Sequence, residues 1–225
     1  MITIPLLPPG APLWFPPVDR ASEDGIVAAG GDLSPERLVL AYRSGIFPWY
    51  DEDSPILWWS PDPRCVLFPD EAHIPRRLGR DMRRGKFRFT VDADFERVIR
   101  ACAAAPRPGQ KGTWLIPEMV KAYIRLHHLG LARSVEAWER VAGEEILAGG
   151  LYGVLMGRVF FGESMFHARS DGSKAAVAAL VAMCRELDVE MIDCQQTTAH
   201  MLRFGAREIP RREFIRRLRI LTPTI

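Results

Sequence analysis

Two short stretches place polar groups inside sequence that otherwise reads as core. The first is Phe160-Phe161-Gly162-Glu163-Ser164-Met165-Phe166 and the second is Met191-Ile192-Asp193-Cys194-Gln195-Gln196. A carboxylate in apolar surroundings is costly unless it is paired or used, so Glu163 and Asp193, at the ends of two candidate strands, point to one polar site. Alternation along an extended segment sends Asp193 and Gln195 to one side and turns Cys194 into the core. Structural readings stand beside this one: Asp193 as a helix cap or internal salt-bridge partner, and Glu163 as the buried partner of Arg158 or Lys174.

These strands need a scaffold, and the sequence outlines an α+β one. Residues 1–62 are rich in proline, glycine and tryptophan and read as a small N-terminal domain. They hold one clear helix, Pro35 to Ser44, with Ser34 as its cap, Pro35 at the first turn and Gly45 as its stop. Over residues 63–225 both kinds of element alternate. A strand at Cys65 to Phe68, a helix at Pro75 to Arg84, a strand at Phe87 to Val91 and a helix at Phe95 to Ala104 lead to a turn at Pro106-Arg107-Pro108-Gly109. A helix from Pro117 to Leu129 precedes three strands, Ala132 to Arg140, Glu145 to Val154 and Arg158 to Met165, whose short separators predict an antiparallel meander. Lys174 to Leu187 is apolar nearly all round, so it is expected as a buried helix, with Ser170, Asp171 or Ser173 at its cap. Val189 to Cys194 then reads as an interior strand, followed by a short helix at Thr198 to Phe204 and a basic helix at Arg211 to Leu218.

The chain of 225 residues is 48% hydrophobic, enough for one sizeable core. No stretch has the length of a membrane span. Its four cysteines lie scattered among apolar neighbours, which suits free thiols in a reducing compartment and predicts a cytoplasmic protein. The net charge of +2 hides two basic segments: Arg76 to Arg88 holds seven positive residues against Asp81, and Arg203 to Arg219 holds seven arginines against Glu208 and Glu213. On one face they would form a patch for a polyanion; apart, they are solvated helix faces. His127 and His128 diverge on a helix and no zinc spacing occurs, so no metal is expected. Gly149-Gly150-Leu151-Tyr152-Gly153 matches no phosphate loop and reads as strand and turn punctuation. A Cys194–His200 pair is set aside because alternation turns Cys194 away.

Several longer motifs occur in order: Ala28-Ala29-Gly30-Gly31-Asp32-Leu33, Gly45-Ile46-Phe47-Pro48-Trp49, Leu57-Trp58-Trp59-Ser60-Pro61-Asp62-Pro63-Arg64, Thr113-Trp114, Ser134-Val135-Glu136, the glycine-rich run, Gly162 to Phe166, Ile192 to Gln195, and Gly205 to Arg211. Together, from about residue 12 to about 220, they closely resemble the leucyl/phenylalanyl-tRNA-protein transferase family. The resemblance implies transfer of leucine or phenylalanine, with methionine as a third donor, from aminoacyl-tRNA to the N-terminal arginine or lysine of a protein, marking it for degradation. It also implies a larger C-terminal domain with a mixed sheet like that of the acyl-CoA N-acyltransferases, without CoA or any other cofactor.

Such a reaction needs an α-amine held neutral and aimed at an ester carbonyl. The resemblance makes Asp193 and Gln195 the catalytic relay, Asp193 holding the amine and Gln195, a poor base, aligning it. Glu163 becomes a substrate-binding acid beside Ser164. Met165, Leu151, Val177, Leu180 and Cys184 are candidates to line a pocket for the leucyl or phenylalanyl side chain, although each also suits plain core. Tyr42, Trp49, Trp114 and Tyr123 match aromatics that contact the aminoacyl-adenosine end. Arg76, Arg77, Arg80, Arg83 and Arg84 would bind the acceptor stem through its phosphates. His167 departs from the pattern, which carries a small hydroxyl residue there. Two other classes stay open: a CoA-dependent N-acetyltransferase, against which the missing pyrophosphate loop counts, and a non-catalytic RNA-binding module, which leaves Glu163, Asp193 and Gln195 without a purpose.

Overall fold

The computed structural model describes residues 4–8, 10–106 and 113–223. A four-stranded sheet forms first, from β1 (Leu6–Leu7), β2 (Ile26–Gly30), β3 (Phe47–Pro48) and β4 (Leu57–Trp59), in the order β1-β2-β4-β3. Periodicity exposes only the helix in this region, because strands of two to five residues carry almost no alternation to read. That helix, α1 (Pro35–Arg43), begins as its sequence requires, with Ser34 Oγ accepting from the Arg37 amide at 3.4 Å. Losing the cap leaves a donor unsatisfied, so Ser34→Ala is expected to destabilise the protein by about 1 kcal/mol in chemical denaturation.

A seven-stranded sheet follows, ordered β11-β5-β10-β9-β8-β7-β6. Its strands are β5 (Arg64–Leu67), β6 (Phe87–Val91), β7 (Ala132–Val141), β8 (Glu144–Met156), β9 (Val159–His167), β10 (Met191–Gln195) and β11 (Arg207–Ile209). The β7-β8-β9 meander is antiparallel, as the hairpin turns predict, while β10 lies parallel to β9. Helices α2 (Arg76–Arg83), α3 (Phe95–Ala104), α4 (Pro117–His128), α5 (Gly172–Glu186), α6 (Ala199–Leu202) and α7 (Arg211–Leu221) connect the strands. Apart from Pro106, the turn expected at Pro106 to Gly109 lies outside the described residues.

Two apolar clusters sandwich this sheet. One, with α3 and α4, is continuous with the residues around α1 and the smaller sheet; the other is built on α5. The glycine run is not a turn but the middle of β8. A Cβ on Gly149 would fall 2.4 Å from the backbone of Gly172, and one on Gly172 would fall 2.0 Å from the Ala148 carbonyl, so both glycines let α5 start against the strand. No helix among the described residues is long and apolar enough to cross a membrane.

One irregularity opens the sheet. The parallel pairing of β9 and β10 runs from Val159/Met191 to Phe161/Asp193 and stops, although both strands continue. Each strand also shifts register at this level against its other neighbour, β9 at Tyr152/Gly153 and β10 at Asp193/Gln195. A bulge bends its strand and re-aims the side chains beyond it.

Candidate active site

The gap between β9 and β10 is a cavity of about 300 Å³. Leu151, Phe160, Met165, Val177, Leu180, Ile192 and Met201 form an apolar lobe against α5, and Phe47, Trp49 and Trp114 stand as an aromatic wall. Glu163, Ser164, Asp193, Cys194 and Gln195 supply its polar edge. Cys184 is not part of it: the residue is fully buried in the core, one turn beyond where the lobe ends at Leu180. Cys194 lines the cavity, against the strict alternation expected, because β10 bulges and Gln195 takes a left-handed φ of 60°.

Asp193 is fully buried and answers to Arg64. The Arg64 guanidinium donates from Nε to Oδ1 at 2.8 Å and from Nη2 to Oδ2 at 2.7 Å, and lies between the rings of Phe47 and Phe214. Oδ1 also accepts the backbone amide of Gln195 at 2.9 Å. Asp193 therefore holds its charge as half of a buried ion pair with Arg64, whereas Glu163 forms no salt bridge among the described residues. The bond from Asp193 to the Gln195 amide holds a backbone conformation that costs about 1–2 kcal/mol for a residue with a Cβ. The internal salt-bridge reading of Asp193 is therefore correct as geometry, and the pair shapes the cavity floor. Arg64 was legible as a lone cation heading an apolar strand, a position that demands an acid partner.

Glu163 is the acid at the cavity. Arg158 and Lys174, its suggested partners, pair instead with Glu190 and Asp171. Glu163 Oε2 accepts from Tyr123 Oη at 2.8 Å, and Oε1 accepts from Gln195 Nε2 at 2.8 Å. Tyr42 Oη lies 2.5 Å from Tyr123 Oη and extends the chain. Both tyrosines are fully buried, so they cannot stack on a nucleoside; their role as aminoacyl-adenosine contacts is corrected to one of supporting Glu163 from below. Burial pushes the Glu163 carboxyl up to about 7; hydrogen bonds from Tyr123 and Tyr42 oppose that rise, the nearby Asp193 charge adds to it, and the Gln195 bond opposes it. Burial likewise drives both phenols well above their ordinary value, aided by the Glu163 charge, so they remain donors.

The two basic segments differ. All five arginines Arg76, Arg77, Arg80, Arg83 and Arg84 are exposed on or beside α2, and none forms a salt bridge among the described residues. In the later segment Arg216 and Arg217 pair with Glu213, Arg207 pairs with Glu71, and Arg211 binds the Ser60 carbonyl. A patch of arginines without carboxylate partners is thus available on α2, while on α7 only Arg212 and Arg219 are exposed without one.

An apolar lobe ending at a carboxylate of shifted pKa has the layout of a site that holds an apolar group while a proton moves beside it, as group transfer requires. Comparison with known proteins sharpens this. The model of the leucyl/phenylalanyl-tRNA protein transferase family matches residues 66–219, and that of the family's N-terminal domain matches residues 31–62. A leucyl/phenylalanyl-tRNA protein transferase of Anaeromyxobacter sp. (strain Fw109-5) is 59% identical over 204 residues, 91% of this chain and 85% of the relative. Another, from Oleidesulfovibrio alaskensis, is 57% identical over 207 residues, 92% and 84% of the two chains. A solved structure, L-PGS from Bacillus licheniformis, overlaps 74% of this chain and 52% of its own with a TM-score of 0.42 and 14% identity, too slight a likeness to argue from. The chain belongs to the leucyl/phenylalanyl-tRNA protein transferase family. It is an aminoacyltransferase whose substrates are an aminoacyl-tRNA and an acceptor protein.

Proposed function

We propose that this chain moves leucine or phenylalanine from the 3′ end of tRNA to the α-amine of a protein beginning with arginine or lysine, with methionine as a third donor. The Glu163–Gln195 hydrogen bond at the mouth of the apolar lobe carries this reading. The arginine or lysine acceptor, the marking of the product for degradation and the cytoplasmic setting follow from the motif resemblance. The sheet opening between parallel β9 and β10 supports the acyl-CoA N-acyltransferase-like architecture that the resemblance implied.

In this reading the donor side chain fills the lobe formed by Leu151, Met165, Val177 and Leu180, where Met165 adapts to an aliphatic or aromatic shape. The acceptor amine arrives at the polar edge. Because Gln195 Nε2 donates to Glu163, its Oε1 is left to accept from the amine, which sets the lone pair toward the ester. Glu163, titrating at about 7, is ionised where an α-amine of ordinary pKa about 7.7–8.0 starts to lose its charge, and it takes the further proton that the neutral amine sheds as it attacks. The nitrogen–carbon bond forms, the ester carbon–oxygen bond breaks, and the proton passes to the leaving 3′ oxygen. Asp193, held by Arg64, acts by positioning Gln195.

Trp49 is only partly buried and packs edge-on against Trp59 at 5.4 Å between centroids, leaving surface for a base to stack on. Base stacking contributes about 1–3 kcal/mol, so Trp49→Ala is expected to raise KM for leucyl-tRNA on the order of 10- to 100-fold with less change in kcat. The function itself is tested by transfer of labelled leucine from leucyl-tRNA to peptides beginning with arginine or alanine. Label on the arginine peptide alone is expected; label on neither, with folded protein that binds tRNA, would leave only an RNA-binding module.

A further inference from the structure

The aminoacyl cavity does not end at its polar edge. Met165 and Thr198 line both that cavity and a second, open one of about 650 Å³, whose other walls include His167, Lys174 and His200. Lys174 and His200, with Asp171, also line a third cavity, of about 270 Å³, shared with Arg77 and Arg203. Arg77 belongs to α2, so these spaces form one track from the site of chemistry to the free arginines.

The track is cationic with little to balance it. Lys174, Arg77 and Arg203 face one acid, Asp171, which binds Lys174 Nζ at 2.6 Å, and His167 and His200 add imidazole nitrogens to the same walls. Asp171 sits at the start of the 15-residue helix α5 but its carboxylate does not cap the helix, so the positive end of α5 adds to the same field. Burial first, and then the nearby Lys174 and Arg203 charges, hold the His200 imidazole below its ordinary pKa. The buried His200 Nε2 has no hydrogen-bond partner among the described residues. Three cations, Lys174, Arg77 and Arg203, around a groove that holds a single acid call for an anion that occupies it.

We infer that the groove lined by His167, Lys174, His200, Arg77 and Arg203 holds the phosphodiester backbone of the single-stranded 3′ end of the donor tRNA. This rests on the transfer reading above, which puts the esterified nucleoside at Trp49 and Trp114 and the stem at α2. One part of the groove shares Met165 and Thr198 with the cavity that Trp49 and Trp114 line, and the other part includes Arg77 and Leu78 of α2. Contacts to phosphates position a strand without reading its bases, so the segment between the terminal nucleoside and the stem is recognised as backbone.

The test compares two donors, leucyl-adenosine, which has no phosphate, and a leucylated trinucleotide, which carries the groove's ligand. Lys174→Gln with Arg203→Gln is expected to lower kcat/KM for the trinucleotide at least tenfold more than for leucyl-adenosine. The log–log salt dependence of trinucleotide binding should also fall by about 1.4, since each phosphate that a cation neutralises on a single strand contributes about 0.7 and the variant removes two cations. Lys121→Gln with Arg125→Gln, the loss of two exposed positive charges outside the groove, controls for the altered net charge. Equal losses on both donors, or no loss on either, would overturn the assignment. A native protein inactive with both donors would instead overturn the transfer reading on which it rests.

Discussion

Asp193→Ala is expected to unfold the protein more readily and to abolish transfer, and the two losses can be separated. Removing one member of a buried ion pair leaves the other charge uncompensated, which costs about 3–5 kcal/mol. Arg64 and Asp193 are 1% and 0% exposed, so the guanidinium is left in surroundings that solvate it poorly. The same change removes the acceptor that fixes the Gln195 backbone at its left-handed φ. A catalytic amide displaced by about 1 Å loses on the order of 100-fold in rate. Replacing both partners with apolar residues, Arg64→Met with Asp193→Leu, removes the buried charge and should recover most of the stability. It should not recover transfer, because no carboxylate remains to hold Gln195. Urea denaturation and single-turnover transfer on the single and double variants check this. Recovery of both properties in the double variant would assign the pair to folding alone.

Glu163→Gln carries the second large effect. General base catalysis contributes about 10²- to 10⁴-fold, and the single-turnover rate at pH 8 should fall by an amount in that range. Stability should move the other way. The folded-state pKa of Glu163 is raised from 4.5 to about 7, so the folded protein holds a proton that the unfolded chain has released between those values. Stability from this group is therefore full below pH 4.5 and is lost as pH rises toward 7. That loss amounts to roughly 3 kcal/mol at pH 8, because a tenfold difference in proton affinity between the folded and unfolded chain is worth about 1.36 kcal/mol. The amide variant carries no such charge, so it should be more stable than the native protein at pH 8 and show little advantage at pH 4.5. Denaturation curves at both pH values measure the difference. A variant both slower and less stable at pH 8 would place Glu163 among the structural acids.

Much of the scaffold could be read because its elements are long and regular. The meander and the buried helix carry their period over many residues, and their ends fall within a few residues of those expected. The four-stranded sheet was hidden because its strands are too short for a period. At the site, Glu163, Ser164, Asp193 and Gln195 were visible as polar residues in apolar strands, and all four meet at one cavity. Their division of labour was not visible, because it depends on which oxygen faces which donor. The partnership of Arg64 with Asp193 spans 129 positions, and the Tyr42–Tyr123–Glu163 chain joins three separate elements. Alternation misplaced Cys194 because a bulge and a left-handed residue leave no mark in composition.

The most direct test of Glu163 as the proton acceptor is the pH dependence of kcat/KM for an arginine-initiated peptide, measured with leucyl-tRNA for the native protein and Glu163→Gln. Two groups must lose a proton in the native reaction, Glu163 near 7 and the amine near about 7.7–8.0. The logarithm of kcat/KM should therefore climb with a slope approaching two below pH 7, ease to one between the two values, and level above them. In Glu163→Gln the slope should not exceed one, since only the amine still titrates. The same two-proton limb in both proteins would contradict the account and return the search for the base to other groups in the cavity.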